Sequence, residues 1–160
     1  MIDVLVGKLG ALMLGSAVIL TAVSIYSVME NAAIESAARA VARTLAERIE
    51  EVCCDVVGAQ LKTSIAQIAE EGSIDIKILK EMRASIYSST IVIDAKGCRV
   101  SENLIYTVSL GNPRCYEQGC AGKNMAGHSG SNNMACVVKY PNDTITIEKI
   151  DAGSGLVYVY

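Results

Sequence analysis

Residues 9–29, LGALMLGSAVILTAVSIYSVM, hold no charged side chain over 21 positions, and they run into residues 31–49, NAAIESAARAVARTLAERI, without an intervening Gly or Pro. About 20 residues at about 1.5 Å rise span the roughly 30 Å hydrocarbon core of a bilayer. The first stretch therefore needs lipid or an equally apolar surrounding. The second lacks the breakers that would end a helix, so one long helix is expected to cross from the apolar stretch into a polar one.

Beyond Asn31 the apolar and alanine positions fall at Ile34, Ala38, Val41, Leu45, Ile49, Val52 and Val56, spaced by three and four. That spacing predicts a helix with a single apolar stripe. Arg39, Arg43, Glu47, Arg48, Glu50 and Glu51 occupy its other faces, and Arg43 with Glu47 adds the small support of an i,i+4 pair. Leu61, Ile65 and Ile68 extend the pattern past Gly58 to about Glu71, where Gly72 reads as a C-cap. Ser73–Tyr87 carries both periods, and we read it as a short helix.

From Ser89 onward the period is two. Thr90–Asp94, Cys98–Ser101, Leu104–Leu110, Ala135–Tyr140, Thr144–Ile150 and Leu156–Tyr160 are rich in β-branched and aromatic residues and bounded by turn residues, Lys96-Gly97 among them. The last three read as a meander. The expected fold is α+β: a hydrophobic-to-amphipathic helix over 1–57, with 1–29 its hydrophobic assembly or membrane segment, and a small antiparallel β-sheet domain over 58–160.

Composition removes several functions. The 160 residues leave room for one compact domain of about 100 residues beyond the helix. A formal charge of −3 with no basic stripe argues against a nucleic-acid partner. Phe and Trp are absent, so an aromatic-lined pocket or base-stacking platform is not expected. A secretory signal fits poorly, because its apolar core runs about 7–15 residues after a basic start. Here only Lys8 precedes the apolar run, Asp3 offsets it, and orientation by loop charge is weakly specified.

Gly7, Ala11 and Gly15 recur every four positions, a small-xxx-small spacing that lets helix backbones approach closely. Cys53, Cys54, Cys98, Cys115, Cys120 and Cys136 all follow the apolar segment, as they would in an oxidising compartment, and their even number permits three disulfides. Gly111–Met134 holds five Gly, four Asn, two Cys and no branched aliphatic residue, and it reads as a surface loop stapled by Cys115, Cys120 and Cys136. Cys115, Cys120, His128 and Cys136 also form a donor set that zinc accepts, but spacings of five, eight and eight miss the tight pairs of such sites. No metal or cofactor is expected.

No catalytic constellation emerges, so the residues point to no enzyme. His128 is the single histidine and stands in that glycine-rich loop without a nucleophile signature. Gly119–Asn124 echoes a phosphate loop but lacks its Gly spacing and the hydroxyl residue after Lys. Glu50 and Glu51 read as a solvated helix face. Asn142-Asp143-Thr144 is the one glycosylation triplet, in an expected turn.

Together these residues resemble a processed type IV pilin, and the alanine-rich continuation over 31–49 resembles the archaeal pilin and archaellin group. The resemblance implies a lollipop-like subunit of an extracellular filament on the cell surface. Such a subunit is membrane-anchored before assembly, delivered by secretion and assembly machinery, and polymerised with itself, exposing its β-rich domain for adhesion. It also implies that a short basic leader is removed and that Met1 is the mature first residue. Bacterial type IV pilins carry Glu at the fifth mature position, where this chain has Leu5; Asp3 is the nearest carboxylate. Lys8 inside such a bundle calls for a partner, for which Asp3 of an adjacent subunit is suited. The assembly residues so implied are Asp3, Gly7, Lys8, Ala11 and Gly15.

The alternative is a single-pass membrane-anchored extracytoplasmic sensor or binding module, since TIVIDAKGCRV at 90–100 resembles strands of ligand-sensing ectodomains. Receptors of that kind return through a second membrane helix, whereas Leu156–Tyr160 reads as a strand.

Overall fold

The computed structural model describes residues 2–75, 82–110, 125–127, 134–139, 143–150 and 156–160. In chain order the elements are α1 (Ile2–Cys54), β1 (Gln60–Ser64), α2 (Ile65–Glu71), β2 (Arg83–Ile86), β3 (Thr90–Ala95), β4 (Cys98–Asn103), β5 (Ser109–Leu110), β6 (Met125–Gly127), β7 (Met134–Lys139), β8 (Thr144–Lys149) and β9 (Val157–Val159). The fold is α+β, a long N-terminal helix followed by a small, mostly antiparallel β region. The chain divides into two compact units, Met1–Ala33 and Ile34–Tyr160. Residues 34–54 of α1 thus belong with the strands.

In the second unit α1 buries Ile34, Ala38, Val41, Leu45, Ile49 and Val52, each at most 4% exposed, and Ala42 and Ala46 beside them. This is the stripe its spacing predicts, and each large aliphatic side chain so buried is worth roughly 1.5–3 kcal/mol. The core it enters is shared with Ala84, Ile86, Ile91, Ile93 and Val138 of one sheet and Ile145, Ile147, Val157 and Val159 of the other.

The stripe stops short of Val56, which is 74% exposed. The last turn of α1 has no basic residue for its free carbonyls, and β8 supplies one. Lys149 Nζ donates to Cys53 O and Asp55 O at 2.7 Å each. Gly58, at φ +90, then turns the chain back so that its N–H reaches Lys149 O at 2.8 Å and β1 pairs with β8. The expected continuation of the helix to Glu71 is therefore replaced by a strand and a separate short helix. The Ser64 hydroxyl caps α2 by accepting from Gln67 N at 3.1 Å, and Gly72 is its C-cap, as read from sequence. Arg48 fastens these pieces to α1: its Nη1 donates to Thr63 Oγ1 at 2.7 Å, and its other terminal nitrogen pairs with Glu71.

Among the described residues two sheets are present where one was expected. One runs β1-β8-β9-β5, with β5 parallel to β9; the other runs β4-β3-β2-β7-β6, antiparallel throughout. The expected meander of the last three strands is thus split. Strand β7 pairs with β2 and β6, while β8 and β9 pair with each other in the first sheet. Residues Ala135–Val138 are all buried, and a strand covered on both faces belongs inside a sheet rather than at the head of a meander. Arg83–Ile86 is strand rather than helix because it lies between β3 and β7, whose ladders use its backbone. Of the expected strand Leu104–Leu110, only β5 forms.

Candidate membrane and assembly surface

Every residue from 7 to 29 is exposed, although the stretch is apolar on all sides. Leu12, Leu14, Leu20 and Val28 show 68–72% of their surface. The helix is long and apolar enough to cross a membrane. A helix that is hydrophobic all round is stable only when something apolar surrounds it. Its hydroxyls fit such surroundings. Ser16 Oγ donates to Met13 O at 2.9 Å, Thr21 Oγ1 to Ala17 O at 2.8 Å and Ser24 Oγ to Leu20 O at 2.9 Å. Bonded back to their own helix, these groups ask nothing of lipid or of a neighbouring helix.

The small-residue stripe is open. A side chain built at Gly7 or Gly15 would meet nothing within 4 Å, and Ala11 is exposed between them. Lys8 is exposed one position along. Asp3 falls within α1, where its side chain lies outside the described residues.

Among the described residues Cys53, Cys54, Cys98 and Cys136 are free thiols. Cys53 and Cys54 are consecutive at the end of α1. Cys98 opens β4 opposite Ala95 of the same hairpin, and Cys136 is fully buried among core residues, opposite Ile86. Burial pushes the Cys136 thiol up to about 11. Cys53 is also raised, first by burial and then by Cys54 beside it. Cys54 is exposed, its Sγ 4.0 Å from Tyr106 Oη. Cys115, Cys120, His128 and Asn142 lie outside the described residues, and within the expected loop Met125–Gly127 forms β6. Among the described residues no group of three His, Cys, Asp or Glu could hold a metal.

Glu50 accepts from Ile105 N at 3.2 Å, which tethers the segment after β4 to α1. Ile105, Tyr106, Val56 and Val57 are exposed, and the assignment of Leu104–Leu110 to a strand missed the first two. Compared with family models, characterised proteins and solved structures, this chain matches none.

Proposed function

We propose that this protein is the structural subunit of an extracellular type IV pilus-like filament, polymerising through its hydrophobic N-terminal helix. One observation carries the reading: residues 7–29 are exposed on every side, in the same helix whose later turns form the core of the β-rich unit. As a monomer the segment resides in the bilayer. On assembly it leaves lipid for a bundle of identical helices, and close approach along Gly7, Ala11 and Gly15 replaces the lipid contacts. The β-rich unit faces outward for surface contact or adhesion.

Negative-stain imaging of the purified full-length chain after detergent removal tests this directly, with filaments as the expected result. Deleting residues 1–29 should abolish them and leave a soluble monomer. Filaments from the truncated chain, or none from the intact one, would refute the reading.

A further inference from the structure

The β-rich unit carries unlike surfaces at its two ends. Strand β4 runs alongside α1: Arg99 and Glu102 share a groove with Glu35 and Arg39, and a few residues later Ile105 N–H reaches Glu50. The step from Arg39 to Glu50 is about 16 Å of helix at about 1.5 Å per residue. One end of the unit therefore lies beside the early turns of this part of α1, and the other at its terminus.

At the early end a charged row crosses four strands. Arg99 stands opposite Asp94, Asp94 opposite Arg83, and Arg83 opposite Lys139. Asp94 pairs with Arg99 at 3.0 Å, and the Asp143 carboxylate accepts from the backbone N–H of Lys139. Arg83 and Lys139 are exposed, and neither has an ion pair among the described residues. Like charges placed directly across a ladder destabilise a sheet. Arg83 and Lys139 are thus two neighbouring cations held against the preference of the sheet.

At the terminus the opposite holds. Glu50, Glu51 and Asp55 gather where the helix dipole is already negative, and Lys149 Nζ is engaged by main-chain carbonyls. Beside these acids Ile105 and Val56 are 77% and 74% exposed. Exposed apolar side chains beside acids suit contact with cations carried on long aliphatic stems.

We infer that these two ends meet between copies: the Glu51/Asp55 end of one subunit docks on the Arg83/Lys139 row of the next. The stems of Arg83 and Lys139 cover Ile105 and Val56 while their heads neutralise the acids. Because the two surfaces differ, the contact is heterologous and repeats without closing unless its rotation closes a ring. The inference rests on the filament reading and adds a second contact to that of the N-terminal helix.

Charge reversal in the full-length chain tests it, with pelleted polymer measured at low and high salt and a thermal melt run on every variant. Arg83→Glu with Lys139→Glu, and separately Glu51→Lys with Asp55→Lys, should each cut polymer yield about tenfold, equivalent to about 1.4 kcal/mol. The loss should be larger at low salt, where charge contacts are least screened. All four reversals together should restore assembly, because acid and base have only changed sides. If the wild type polymerises and either reversed pair polymerises equally well, this contact is refuted and the filament reading stands. Losses that the fourfold variant does not restore, in proteins that melt normally, also overturn it, since the two ends then face different partners. If the wild type forms no polymer, both readings fall.

Discussion

Lys149 Nζ lies 2.7 Å from the carbonyl oxygen of Cys53, so a residue 96 positions along the chain terminates the first helix. A charge-assisted hydrogen bond to a helix end combines a net contribution of about 1.5–3 kcal/mol with a small dipole term, reduced here by partial exposure. It also ties the β1–β8 ladder to the point where α1 stops.

Lys149→Met keeps most of the stem and removes the donor. It should lower stability by about 1–2 kcal/mol, a fall in melting temperature of roughly 3–6 °C for a chain of this size. Lys62→Met on the exposed side of β1 serves as the control and should stay within about 0.5 kcal/mol. Equal effects in calorimetry would show that Lys149 does not act as a cap.

The Arg48 contact gives a pH dependence. The hydrogen bond from Arg48 holds the Glu71 carboxyl below its ordinary 4.5. A depressed carboxylate stabilises the fold above its unfolded pKa, and that contribution is lost as pH falls through the folded value. Glu71→Gln should therefore be less stable than the wild type at neutral pH, with the gap closing below about pH 4. A gap independent of pH in urea titrations would mean that charge is not involved.

The thiols make a sharper case, because exposure and acidity act together. Cys54 is exposed, whereas Cys136 is fully buried and pushed up to about 11. At pH 8 a thiol reagent should modify Cys54 in the native protein while Cys136 reacts only on unfolding. Peptide mapping after timed alkylation reads this out. Because the raised pKa favours the protonated thiol in the fold, its stabilisation is complete below the ordinary 9.0 and lost as pH rises towards 11. Recovery of Cys136 in a disulfide would contradict the free thiol.

The helix was legible because burial on one face writes a three-and-four spacing into the sequence, and Ile34 through Val52 carry it without exception. Strand β2 was not. Ala84, Ser85 and Ile86 are all buried, so the alternation that marks a half-buried strand is erased, and Met82 with Ile86 mimics a helical pair. The place of β7 was hidden for a related reason: a run such as Ala135–Val138 announces an interior strand but not its partners. The apolar segment was plain in the chain, yet the ends of the β-rich unit were not. The row from Arg99 to Lys139 is assembled from four strands, and no local pattern joins them.

The charge pair proposed at the base of the helix can be tested without disturbing the β-rich unit. In an apolar bundle an unpaired charge is costly, whereas a matched pair fixes the register between neighbours. Asp3→Ala and Lys8→Ala should each reduce filament yield, since each strands the other charge. The double variant removes both and should recover part of the loss, which makes the two effects non-additive. Filament yields from all three variants, measured side by side under one assembly condition, give the coupling. Additive losses would show that Asp3 and Lys8 act apart, with Asp3 meeting a terminal amine and Lys8 remaining at the polar edge of the apolar segment.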